Sequence, residues 1–206
     1  MQREPAFLAS TIGKKVVMAG TGIILFGFVF GHAVGNLQAY LGPEALNHYA
    51  ALLREFVHGW ALWIVRAALL ASVALHIWAA TALTIENRRA RPVGYRAVQH
   101  EQSTYASRTM VWSGPILALF VIYHILHFTT GAVHQDFVEG DAYHNFVTGV
   151  QVVPVSAFYI VAMLALGLHL YHGVWSMLQT LGLSHPRYDP LRHAFSTMFT
   201  VAVIGV

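Results

Sequence analysis

Apolar residues in this chain run in long blocks rather than alternating with polar ones. Five blocks stand out, over 16–40, 60–85, 109–131, 153–181 and 193–206. A helix needs ~20 apolar residues to cross the hydrocarbon layer of a membrane, and the first four blocks meet that length. The fifth, of 14 residues, is short, so as a span it either tilts little or is incomplete in the sequence given. Segment 44–57 has a different pattern. Leu46, Tyr49, Ala50, Leu53, Phe56 and Val57 recur at helical spacing, with Glu44, Asn47, Arg54 and Glu55 elsewhere on the wheel. That is an amphipathic helix lying on the membrane surface. The acidic loop 132–152 carries a weaker version of the same pattern. The predicted fold is all-α: an integral membrane bundle of five transmembrane helices, forming one membrane domain over 1–206 without a soluble domain.

Composition agrees with this. At 56% hydrophobic and 10% charged residues, the chain lies outside the range of soluble domains. The first apolar run, about 25 residues, is longer than the apolar region of a signal peptide, so it reads as an uncleaved span. Arg3, Lys14 and Lys15 precede the first span, Arg88, Arg89, Arg91, Arg96 and Arg108 lie between the second and third, and Arg187 and Arg192 precede the fifth. Short loops rich in Lys and Arg stay in the cytoplasm, which puts the N-terminus inside. The opposite loops hold Arg54 against Glu44, Glu55, Asp136, Glu139 and Asp141. The net charge of +3 is thus a topogenic bias, not a nucleic-acid footprint. There is no cysteine, which excludes disulfides and iron–sulfur ligation by this chain.

Histidine changes the picture. Of 13 histidines, six fall inside the spans: His32, His76, His124, His127, His169 and His172. An ionisable group in hydrocarbon is costly unless it faces protein, water or a ligand. His32 and His124 lie 16 positions past residues 16 and 108 on helices that run outward. His76 and His169 lie 16 positions past residues 60 and 153 on helices that run inward. At ~1.5 Å per residue, each lies ~24 Å along its helix, so the four form two pairs at two depths. Two imidazoles at one depth on different helices are what a haem held between helices needs. Two ligands that stay bound leave the iron no open position, favouring electron transfer. Small residues beside them, Gly31, Gly35, Ala79, Ala80 and Gly173, would admit a flat macrocycle, although ordinary span packing also favours small residues.

His127 and His172 follow their neighbours by three residues and so share a helix face with them. They read either as secondary contacts to a propionate or quinone, or as plain core histidines. Arg66, a basic residue well inside a span, lies near the depth of His32 and His124. It either pairs with a haem propionate or snorkels to the outer surface. No Asp or Glu lies inside a span, which argues against a carboxylate-based transporter. No phosphate loop, activated nucleophile or HExxH zinc motif occurs, and no catalytic residue can be named.

Four segments, GHAVGN (31–36), LHIWAATAL (75–83), IYHILHFTTG (122–131) and GLHLYHGVWSMLQTLGL (167–183), give the chain a family resemblance. It resembles the single-chain, di-haem cytochrome b that anchors bacterial succinate dehydrogenases and fumarate reductases to the membrane. The most specific part is the run from His169 through Gly173 and Trp175 to Ser176. The resemblance implies two haem b groups, with His32 and His124 on the iron of the outer, distal one and His76 and His169 on the iron of the inner, proximal one. It also implies a flavoprotein with FAD and an iron–sulfur subunit docked on the cytoplasmic face of the bacterial inner membrane. Electrons would pass from them to membrane menaquinone or ubiquinone, with loop 87–108 as the docking surface for the iron–sulfur subunit. No nucleic-acid partner is implied, and a higher oligomer is left open. Two features depart from the family: the short fifth block, and the lack of an intramembrane glutamate that some relatives link to proton movement.

Two other readings remain open on sequence. One is a cytochrome b serving another dehydrogenase, of hydrogenase or formate dehydrogenase type. The other is a haem-free transporter or anchor that uses histidine for protons or metal ions.

Overall fold

Helix caps decide where the elements begin, and they extend the apolar blocks. The computed structural model describes residues 7–90 and 104–205, the side chain of Val57 excepted, and every regular element among them is helical. Helix α1 (Thr11–Asn36) starts ahead of its apolar block because the Ser10 side chain accepts a bond from the Gly13 N–H at 3.0 Å, satisfying one orphan donor of the first turn. A short 3-10 turn carries the chain on to Leu41. Gly42, at φ 99°, then turns it into α2 (Pro43–Glu55), with proline inside the start where no N–H is needed. Helix α3 (Trp60–Arg89) follows Gly59 in the left-handed conformation. Helix α4 (Tyr105–His124) is capped by Thr104, which accepts from the Ser107 N–H at 3.1 Å, and it passes into a π-helical turn over Ile125–Thr129. Helices α5 (Ala142–Gln151), α6 (Val153–Thr180) and α7 (Asp189–Ile204) complete the chain.

Among the described residues, four helical segments are long and apolar enough to cross a membrane: Thr11–Leu41, Trp60–Arg89, Tyr105–Thr129 and Val153–Thr180. The chain is therefore an all-helical, multi-pass membrane protein. The fifth block belongs to α7, whose 16 residues fall short of the ~20 a span needs. Large apolar side chains such as Ile64, Leu119, Ile160 and Leu164 point outward, as suits a lipid solvent. The segment expected at 44–57 is α2, and the weaker pattern in 132–152 holds α5.

The main packing partners are α1 with α3, α4 with α6, and α6 with α7, while α1 also touches α6 and α7. Around the four long helices the order is thus α3, α1, α6, α4, which makes α1–α4 and α3–α6 the diagonals. The core between α6, α7 and α1 is built from Leu170, Val174, Phe199 and Val203, with Phe26 and Val29 packed against them. Gly167 lets α7 close in, since a Cβ there would stand 3.2 Å from Ile204 Cδ1.

The two ends of the bundle differ in chemistry. One, the basic end, carries Lys14, Lys15, Arg88, Arg89, Arg108, Arg187 and Arg192 where helices start or stop. There the buried Lys14 of α1 pairs with Glu86 of α3 and donates to the Ala9 carbonyl at 2.8 Å. Arg3, Arg91, Arg96 and most of the loop 87–108 expected to dock a partner lie outside the described residues. The other end is covered by α2 and α5. Asn47 joins them, donating to Asp141 Oδ1 at 2.9 Å and accepting from the Tyr143 N–H at 2.9 Å. Asp141 caps α5 by accepting from the His144 N–H at 2.9 Å. That N–H and the Asn47 amide hold its carboxyl below the ordinary carboxylate range.

Candidate functional site

Each long helix contributes one histidine to a pair, and the pairs meet across the diagonals; His76, His124 and His169 are half-buried and His32 is exposed. His32 of α1 and His124 of α4 have ring centres 5.8 Å apart with planes at 89°. His76 of α3 and His169 of α6 have ring centres 6.3 Å apart with planes at 57°. The first pair lies toward the α2–α5 end and the second toward the basic end. An iron bound by two imidazole nitrogens at about 2 Å each, with each ring centre roughly 1 Å beyond its nitrogen, separates ring centres by about 6 Å. Both pairs have that spacing. Among the described residues no three His, Asp or Glu gather as a metal cage.

Space around the pairs is uneven. A Cβ added at Gly27 or Gly31 of α1, at Gly114 of α4 or at Gly173 of α6 would meet nothing within 4 Å. Protein atoms leave room there for a flat group or for lipid. Gly35 is different. The Tyr49 ring of α2 occupies the space its side chain would need, so this glycine seats the surface helix. Ala79 is fully buried and Ala80 half-buried.

Three of the four rings are hydrogen-bonded at Nδ1 by a hydroxyl on a neighbouring helix. Thr21 Oγ1 of α1 lies 3.1 Å from His76 Nδ1. Ser113 Oγ of α4 lies 3.3 Å from His169 Nδ1. The Tyr159 hydroxyl of α6 lies 3.4 Å from His124 Nδ1. His32 stacks on Phe28, one turn back, at 5.4 Å. Bonds of this kind orient an imidazole and choose which nitrogen carries the proton.

His127 does not join a pair. It is 2% exposed, bonds through Nδ1 to the Tyr159 hydroxyl at 3.1 Å, and stacks on His134 at 4.7 Å. Gly149 makes that stack possible, since a Cβ there would stand 2.8 Å from His127 Cε1 and 3.0 Å from His134 Nε2. A cavity of about 100 Å³ adjoins the two rings, lined also by Gln135, Asp136 and Thr148. It has the volume of a few water molecules. Nearer the surface His144 Nε2 lies 3.0 Å from Asp136 Oδ2. His172 stands 6.2 Å from Trp175, which stacks on His193 at 5.5 Å. Arg66 reaches over the Trp63 ring at 5.0 Å, a cation–π contact one turn toward the α2–α5 end.

Sequence reasoning missed the supporting residues. Thr21, Ser113 and Tyr159 show no periodic signal, since a lone hydroxyl in a span satisfies itself on its own helix as often as it serves a neighbour. The one available hint is that each is a polar residue in an apolar block that also contains a histidine. Compared with protein-family models, curated proteins and solved structures, the chain matches none.

Proposed function

We propose that the chain is the haem b-containing membrane anchor of a succinate:quinone oxidoreductase, passing electrons from an iron–sulfur subunit to membrane quinone. In this reading His32 and His124 hold one haem iron and His76 and His169 the other. The observation that carries it is the meeting of imidazoles across both diagonals of one bundle, 5.8 and 6.3 Å apart, at the spacing of an iron held between two rings. A haem held by both imidazoles of a pair would supply a one-electron carrier closed to oxygen chemistry. The chain's own part is to orient the rings through Thr21, Ser113 and Tyr159 and to keep the interior apolar.

The likeness of GHAVGN, IYHILHFTTG and GLHLYHGVWSMLQTLGL to the di-haem anchors supports the choice of succinate:quinone chemistry among cytochromes b. The cluster of Lys and Arg at one end supports a cytoplasmic N-terminus in a bacterial inner membrane. In this reading a flavoprotein and an iron–sulfur subunit would dock on that face.

The test is spectroscopy of the complex purified from membranes. A reduced-minus-oxidised spectrum with b-type bands, two haems per chain and reduction by succinate is expected, with one haem lost in His76→Ala. A colourless preparation, or His76→Ala with full haem content, rejects the assignment. Co-purification of a nickel or molybdenum enzyme in place of a flavoprotein moves the chain to another dehydrogenase.

A further inference from the structure

Resting on the reading of His76 as an iron ligand, the structure carries a further step at Thr21. The hydroxyl of Thr21 has one proton and two kinds of neighbour. On its own helix it lies 2.8 Å from the Val17 carbonyl and 3.2 Å from the Met18 carbonyl, both of which can only accept. Across the α1–α3 interface it lies 3.1 Å from His76 Nδ1. A hydroxyl that donates to a carbonyl meets its third neighbour through its lone pairs. The Thr21 oxygen is therefore an acceptor toward His76, and Nδ1 carries the ring proton. Nε2 is left as the basic nitrogen.

The contact is built into the packing. Thr21 is 7% exposed, so its side chain is largely shielded from solvent. Beside it, Gly22 brings the α1 backbone against the ring, with a Cβ position 3.8 Å from His76 Cε1. One residue supplies the acceptor and the next supplies the close approach.

We propose that Thr21 is the positioning residue for His76, fixing the imidazole tautomer that presents Nε2 to a metal and raising the donor strength of the ring. A ligand imidazole whose second nitrogen donates a hydrogen bond is a more basic ligand and favours the ferric state. The alternative is that Thr21 merely satisfies its own helix and stands beside His76 by accident.

The experiment is a potentiometric titration of both haems in the complete membrane complex, in wild type, Thr21→Val and Thr21→Ser, with haem content measured on the same samples. Valine keeps the shape and removes the acceptor, whereas serine keeps the hydroxyl. In Thr21→Val the haem at the basic end should rise in midpoint potential, by an amount on the order of a tenfold change in ferric-to-ferrous preference, about 59 mV for one electron. The other haem should stay at the wild-type value, and Thr21→Ser should restore both. Loss of the basic-end haem alone in Thr21→Val, regained in Thr21→Ser, is the stronger form of the same result. An unchanged potential in Thr21→Val, an equal shift in Thr21→Ser, or a parallel shift of both haems overturns the proposal. Wild-type protein without haem rejects the underlying reading as well, and the haem content alone distinguishes that failure.

Discussion

The Tyr159 hydroxyl stands 3.1 Å from Nδ1 of His127, a ring with almost no solvent access, and 3.4 Å from Nδ1 of His124. One phenol thus serves a histidine of a diagonal pair and a histidine outside the pairs. Removing it should strand a polar nitrogen in an apolar setting, which costs about 1–3 kcal/mol. Tyr159→Phe should lower the unfolding midpoint accordingly, whereas Tyr123→Phe, which keeps the ring that stacks on His127 and meets Phe158 and Tyr159 edge-on, should leave it near wild type. Unfolding of the detergent-solubilised protein, followed by circular dichroism, measures both.

The diagonal pairing makes a prediction about equivalence. If each pair holds one cofactor, His76→Ala and His169→Ala must lose the same haem, and the double variant must lose no more than either. His32→Ala and His124→Ala must likewise share the loss of the other. Haem stoichiometry with the spectrum of the remaining haem decides this. Four single variants with four different residual spectra would break the pairing.

Lys14 and Glu86 tie α1 to α3 at the basic end, and they are unequally buried, at 9% and 40% side-chain exposure. Taking away the acid leaves a buried ammonium without its counter-charge. Taking away the base leaves an acid that water can reach. Glu86→Ala should therefore destabilise by on the order of 2 kcal/mol, and Lys14→Met by clearly less. Equal effects would mean the pair is solvated in the membrane-embedded protein.

Acid should loosen the α2–α5 end first. The folded-state value of Asp141 is depressed by the His144 N–H, then by the Asn47 amide. A depressed carboxylate contributes stability that is full above its unfolded value, 3.8, and is lost as the pH falls through the lower folded value. Hydrogen exchange in α5 should accelerate as the pH is taken down through that range, after correction for the intrinsic rate. In Asp141→Asn this acid-dependent step should be absent.

Much of this was legible in the apolar blocks and little of the rest was. Long runs of Leu, Ile, Val and Phe announce the four long helices. An equal interval from residues 16, 60, 108 and 153 to the histidines implies two levels, although α1 and α4 begin earlier, at Thr11 and Tyr105. The apolar blocks begin at 16 and 109, later than the helices at Thr11 and Tyr105, because Ser10 and Thr104 cap first turns that carry no hydropathy signal. The block at 193–206 suggested a span, whereas α7 begins in the polar Asp189 turn and has 16 residues. Gly35 looked like a site for a cofactor, and only coordinates could show the Tyr49 ring filling the space. Hydroxyl-to-imidazole bonds between helices were invisible, because they depend on the rotation of each helix about its axis and not on spacing along it.

The π-helical turn at Ile125–Thr129 has a consequence for how such a chain can change. A π turn is an α turn widened by one residue, and it begins directly after His124. In an unbroken α-helix His127 would sit beneath His124 on one stripe and compete for the same neighbours. The widened turn swings it off that stripe, toward Tyr159 and His134. A single-codon insertion or deletion in this stretch would re-aim every side chain beyond it while leaving the preceding twenty residues of α4 in register. The bundle can thus remodel its α2–α5 end without disturbing the paired rings below.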